Sequence, residues 1–138
     1  MKISKLNHLP SVFVLCALLV FTGCKDKSAM LVKKWKLESL KYTKEIPPDM
    51  QPQIQKYIDK IKDSFSLTYE ANGKYHSQVA EQTINGTWKL NWNGSVITST
   101  TDAGEKNEYD IIKLTDSEFS FRATERKEEV IFILVPAN

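Results

Sequence analysis

Cysteine is nearly absent from this 138-residue chain, and neither of its two copies, Cys16 and Cys24, falls in the body of the sequence. From Lys25 onward there is no thiol to close a disulfide, hold a metal or act as a nucleophile. Histidine is as scarce. Only His76 follows the first ten residues, so a histidine metal cluster is excluded and a histidine base would need partners that the sequence does not display. His76 alternates with Tyr75, Ser77 and Val79 and is expected to face solvent. No glycine-rich phosphate loop or nucleophile motif is present, and the acid pair Glu128-Glu129 reads as part of a charged turn. The expectation is a protein that is not an enzyme and has no metal and no cofactor. There is no basic block either, and the net charge is only +2, which argues against nucleic acid as a partner.

Long hydrophobic runs are lacking too. The longest, residues 12–21, falls well short of the roughly 18 to 20 apolar residues needed to cross a bilayer. It follows Lys2 and Lys5 and ends on Phe21-Thr22-Gly23-Cys24, the charge, length and small-residue ending of a secretory signal. That ending resembles the lipobox of bacterial lipoproteins. The resemblance implies lipid attachment at Cys24 and cleavage after Gly23, so that residues 1–23 are a signal peptide. Lys2 and Lys5 leave with it, and the remaining chain has as many basic as acidic residues. Residues 24–30 read as the lipidated cysteine and a short polar tether. Two or more acyl chains, at about 0.8 kcal/mol per buried methylene, would hold the protein on a membrane without help from the fold. Lys25 after the cysteine implies, by the sorting rules of such lipoproteins, the outer membrane of a Gram-negative envelope, with both the periplasmic face and the cell surface open.

Residues 31–138 suit one domain with a modest core. They read as short strands broken by turns. Trp35, Leu37 and Ser39 are expected on one face of the first strand; Phe65, Leu67 and Tyr69 share one in residues 64–70; Tyr75, Ser77 and Val79 line the return. Trp88, Leu90 and Trp92 alternate in residues 86–92, and further strands are expected at 96–101, 108–114, 119–123 and 130–135. Asn72-Gly73 and Asn93-Gly94 read as hairpin turns with positive backbone angles. The sequon-like Asn85-Gly86-Thr87 and Asn93-Gly94-Ser95 are also assigned to turn chemistry. Residues 130–135, VIFILV, are apolar on both faces and must be covered; closing them on the first strand would remove a hazardous edge. The fold class predicted is mainly β: about eight antiparallel strands in a small up-and-down barrel.

One segment breaks this pattern. Between the first two strands, Met50, Ile54, Tyr57, Ile58 and Ile61 recur at helical spacing, with Lys56, Asp59, Lys60 and Lys62 opposite. Asp49 is the expected N-cap, and Pro52 is tolerated in a first turn. The helix should lie on the sheet or across a barrel mouth, as a fixed lid or as a gate.

The peptides around Trp35, Phe65 to Tyr69 with Asn72-Gly73-Lys74-Tyr75, Gly86-Thr87-Trp88-Lys89-Leu90 and Tyr109 to Leu114 together resemble the lipocalin-like domain common among bacterial lipoproteins. In lipocalins a G-x-W motif opens the first strand and its tryptophan packs at the closed end. Trp35 fits that tryptophan, with Lys33 where the glycine would stand; Gly86-Thr87-Trp88 has the spacing in a middle strand. The resemblance implies an eight-stranded calyx for small hydrophobic molecules.

Three readings follow. A lipid-anchored binding module predicts an apolar cavity beneath the helix, with Tyr69, Tyr75, Trp88, Trp92 and Phe121 as candidate ligand contacts. A barrel filled by its own bulky side chains, serving an envelope protein partner, predicts no cavity and an exposed apolar patch. An enzyme would need a cleft bringing His76 beside a carboxylate, and is the reading set aside.

Overall fold

A computed structural model describes residues 26–126 and 130–138. The segment expected to be a signal peptide, Cys24 with its expected lipid attachment, Lys25 and the Glu128-Glu129 pair expected in a turn lie outside them. Among the described residues no helix is long and apolar enough to cross a membrane.

The chain runs α1 (Lys27–Leu31), β1 (Lys34–Tyr42), α2 (Gln51–Ser64), β2 (Ser66–Tyr69), β3 (Lys74–Val79), β4 (Gln82–Leu90), β5 (Val96–Thr101), β6 (Lys106–Leu114), β7 (Phe119–Ala123) and β8 (Val130–Pro136). All eight strands are antiparallel to their neighbours, and β8 returns to β1 to close the barrel. The closing register pairs Trp35 with Pro136 and Leu37 with Leu134, so the centre of the apolar run of β8, Phe132 to Leu134, is paired on both sides. A bulge between Leu37 and Ser39 interrupts the alternation of β1. It is this extra residue that turns Leu40, rather than Ser39, toward the core.

Because the strands run up and down, the loops fall at two ends. Residues 70–73, 91–95 and 115–118 surround the end where β1 begins, and α1 closes it. Asp26 accepts the Ser28 amide at 3.0 Å and caps α1, Leu31 is fully buried, and the Trp35 indole donates to the Leu31 carbonyl at 3.0 Å. Residues 27–31 are thus folded against the barrel where the sequence reads as tether; five residues are too few for a helical period to show. Trp35, Phe119, Leu37, Ile97 and Leu134, all at most 2 % exposed, fill this closed half.

At the other end lie α2 and the loops after β3, β5 and β7. The helix starts at Gln51 with Met50 at the cap position and no side-chain cap, so Asp49 does not cap it, and Pro52 sits in the first turn as expected. Ile58 is buried and Ile61 packs on the core, while Met50 and Tyr57 are 47 % and 59 % exposed. Tyr57 precedes Ile58 by one residue, about 100° around the helix, which turns it off the apolar stripe. The Ala80 amide donates to Ser64 Oγ at 3.0 Å and ties the helix end to the β3–β4 turn.

Two hairpins depart from the expected geometry. Only the glycines of Asn72-Gly73 and Asn93-Gly94 have positive φ, 87° and 71°. The Gly73 amide donates to the Glu70 carbonyl and that of Gly94 to the Asn91 carbonyl. Each loop is therefore a type I turn followed by a left-handed glycine, one of the longer hairpin forms. The second of these ends β4 at Leu90. Asn85-Gly86-Thr87, by contrast, is no turn; it lies within β4.

Candidate functional site

The open half of the barrel holds a cavity of about 290 Å³. Its position follows from register. Leu67 pairs with Ser77, Tyr69 with Tyr75, Ser77 with Ile84, and Ser99 with Asn107, so these side chains share the inner face. One wall, from β2 and the residue before it, β7 and β8, is apolar: Phe65, Leu67, Phe121 and Phe132. Phe121 stacks on Phe132 with centroids 5.1 Å apart and planes at 6°, and Tyr109 meets the Phe121 edge at 5.3 Å. The opposite wall, from β5, β6 and their loop, is polar: Ser99, Thr101, Glu105 and Asn107. Val79 and Ile84, 36 % and 40 % exposed, stand at the mouth.

Three tyrosines join the walls. Ser99, 4 % exposed, is a hydrogen-bonding neighbour of both Tyr75 and Tyr109. Burial pushes the hydroxyl pKa of Tyr69, Tyr75 and Tyr109 above the ordinary tyrosine value. For Tyr75 the Ser99 hydrogen bond opposes that rise, and the negative charges of Asp102 and Glu105 add to it. All three hydroxyls therefore stay protonated and neutral at physiological pH, able both to donate and to accept.

Of the five residues predicted from sequence, Tyr69, Tyr75 and Phe121 line the cavity, and Trp88 and Trp92 do not. Trp88 faces inward near the closed end: its indole donates to the Glu70 carbonyl at 3.0 Å and its ring lies 4.9 Å from Tyr69. Trp92 is 95 % exposed, because the strand stops at Leu90 and the tryptophan falls within the turn that Asn91 opens. Trp92→Ala should accordingly change the unfolding free energy by less than about 0.5 kcal/mol in urea titrations; a loss of about 2 kcal/mol would show that the turn packs against something. Where a cavity roofed by the helix is expected, no residue of α2 lines this one; Phe65, the residue after the helix, is the nearest in sequence to do so.

Sequence reasoning missed Ser99, Thr101, Glu105, Asn107 and Tyr109. Their period-two spacing was the available signal, but polar residues at that spacing look the same whether they face a cavity or solvent. His76 does stand beside a carboxylate, 3.2 Å from Glu70, with Asn85 at 2.6 Å on its other nitrogen. Those contacts sit on the outer face of β3 and β4, with His76 and Glu70 side chains 48 % and 39 % exposed, so they form a surface cluster and not a cleft. The Asn85 contact is the main cause raising the His76 pKa. Among the described residues no group of three His, Cys, Asp or Glu side chains is placed to hold a metal.

Residues 31–121 match the family model described as a lipocalin-like domain. No curated protein matches the sequence. Among solved structures, a DUF4847 family protein from Bacteroides vulgatus is similar with a TM-score of 0.56 at 11 % identity, covering 77 % of this chain and 93 % of that one. A lipocalin-like protein from Bacteroides uniformis has a TM-score of 0.51 at 13 % identity, covering 78 % and 99 %. A second Bacteroides uniformis protein, determined by NMR, has a TM-score of 0.52 at 19 % identity, covering 80 % and 92 %. At these identities the likeness concerns the fold.

Proposed function

The chain belongs to the lipocalin-like domain family, and from that premise we propose that it is an envelope lipoprotein whose barrel takes up one small, largely apolar molecule. The observation that carries this reading is the half-filled interior. Trp35, Phe119 and Leu31 make a solid floor, and above it stands a cavity of about 290 Å³ open at the mouth. A barrel serving only as a docking body would gain stability by filling that space. The reading needs no protein partner, no nucleic acid and no catalysis.

Size limits the occupant. The cavity holds about ten waters at roughly 30 Å³ each and lies at the lower end of the usual range of about 300–1,000 Å³ for ligand pockets. Burying roughly 200 Å² of apolar ligand surface at about 25 cal/mol per Å² contributes about 5 kcal/mol. Alone that gives a Kd in the high micromolar to millimolar range, so directed polar contacts decide affinity.

The anchor fits the same geometry. A lipid on Cys24 would lie two residues before Asp26, which caps α1 at the closed end. The mouth would then open away from the outer membrane, with the bilayer beside the barrel floor. Attachment is tested by metabolic labelling with a radioactive fatty acid, in the parent and in Cys24→Ser; equal label in both would sink the anchor.

Among the described residues the core lies between Leu31 and Leu134 and the barrel closes on itself, so a chain beginning at Asp26 carries that core and all the strands of the barrel. In that chain, Ile84→Trp at the half-exposed mouth should weaken binding of the neutral fluorescent probe N-phenyl-1-naphthylamine by about tenfold or more. Its unfolding free energy from urea titration should stay within about 0.5 kcal/mol of the parent. Unchanged probe binding would place the probe elsewhere and remove the support for a calyx.

A further inference from the structure

Resting on the calyx reading, we infer that the cavity selects small amphipathic molecules with a cationic head, an alkyl or arylalkyl amine, and discriminates against carboxylates such as fatty acids. The argument is the distribution of charge and acceptors around the space. Glu105 is the one charged side chain on the lining, and among the described residues no Lys, Arg or His contributes to it. The Glu105 amide donates to Thr101 Oγ1 at 3.1 Å, which fixes the backbone of the loop, while its carboxylate has no ion-pair partner among the described residues. Lys106 follows it in sequence, but Lys106 pairs with Thr100 and shares the outer face, whereas Asn107 pairs with Ser99 on the inner one.

Glu105 is also not isolated. Thr101 and Asn107 supply further oxygen acceptors on the same wall, and the hydroxyls of Ser99, Tyr75 and Tyr109 continue them inward. After burial, the larger cause, the negative charge of Glu105 adds to the rise in the hydroxyl pKa of both Tyr75 and Tyr109. An ammonium needs several acceptors and has no use for a donor-only site; this wall offers that set. Across the space, the stacked Phe121–Phe132 pair presents an apolar body contact, and the Tyr109 ring, edge-on to Phe121, joins it to the polar wall; aromatic faces attract a cation that approaches them. A carboxylate head would meet the opposite: like charge at the rim and no cation to neutralise it.

The test is displacement of N-phenyl-1-naphthylamine from the chain beginning at Asp26 by three molecules that share a body and differ in head: 2-phenylethylamine, 2-phenylethanol and phenylacetate. The expected order is amine, alcohol, carboxylate, with the amine about threefold to tenfold tighter than the alcohol, as befits a partly solvated charge pair, and the carboxylate weakest. Glu105→Gln should bring the amine to the affinity of the alcohol and narrow the gap between the alcohol and the carboxylate. Raised salt should erode the amine's advantage alone. If phenylacetate competes as well as the amine, or Glu105→Gln leaves the amine untouched, the charge selection is wrong and the calyx stands. If none of the three displaces the probe and Ile84→Trp does not affect it, the calyx itself is wrong, and this inference goes with it.

Discussion

Gly86→Ala is expected to destabilise the barrel by about 3 kcal/mol or more, at the upper end for overpacked interiors. Gly86 sits in β4 with Tyr75 opposite it on β3 and Thr101 on β5. A Cβ built there would overlap the Thr100 carbonyl oxygen and come within 2.8 Å of the Tyr75 ring. A clash with a flexible side chain can relax; Thr100 contributes backbone, held in the β4–β5 ladder, so the strands themselves must part. The ring of Tyr75 occupies the space that the missing side chain leaves, an aromatic laid over a glycine across the strand pair. With m-values of about 1–3 kcal/mol per molar urea, the midpoint should fall by roughly 1–3 M. A midpoint within about 0.2 M of the parent would show that β4 and β5 can separate without cost. The same substitution should loosen Tyr75 and so weaken probe binding, which links the close packing of these strands to the site.

How much of this was legible beforehand depends on which physical signal each residue carries. The inward Phe65, Leu67, Tyr69 and Tyr75 were readable because large apolar side chains at period two can go only one way in a half-buried strand. The closure of β8 on β1 followed from residues 130–135 being apolar on both faces. The inserted helix was legible from Ile54, Ile58 and Ile61. Met50 and Tyr57 were drawn into the stripe because a count of spacings tolerates neighbours that the narrow contact with β1 and β3 excludes.

The errors share a cause. Trp92 continues the alternation of Trp88 and Leu90 in sequence, yet the turn that ends in the left-handed Gly94 takes it out of the strand. Trp88 is inward as expected, but whether an inward side chain reaches the mouth or the floor depends on strand stagger, which single strands do not encode. The polar wall was hidden for the converse reason: Ser99, Thr101, Glu105 and Asn107 look like solvent-facing positions until a second strand defines the inside. The cavity's apolar half was therefore visible in the sequence, and the half that would set ligand chemistry was not.

Trp35→Ala is expected to cost about 3–5 kcal/mol, the usual toll for emptying a buried aromatic site, and to do so from the end of the barrel opposite the cavity. Trp35 is fully buried, lies 5.5 Å from Phe119 and donates its indole N–H to the Leu31 carbonyl, so it latches α1 to the floor. The Lys33 amide donates to that same carbonyl, which leaves the acceptor satisfied when the indole is gone. The loss should then come chiefly from packing, and Trp35→Phe, which keeps much of the ring volume, should recover most of it. Since small domains are stable by only about 5–15 kcal/mol, the alanine variant consumes a large share of the total. Circular dichroism is the measure to use, because Trp35 is itself one of the three tryptophan fluorophores. A Trp35→Phe variant as unstable as Trp35→Ala would show that the indole hydrogen bond, rather than packing, holds α1. An alanine variant that unfolds like the parent would mean that the floor is not where the stability of this barrel resides, and that the open half can be varied only at greater risk than Glu105→Gln and Ile84→Trp assume.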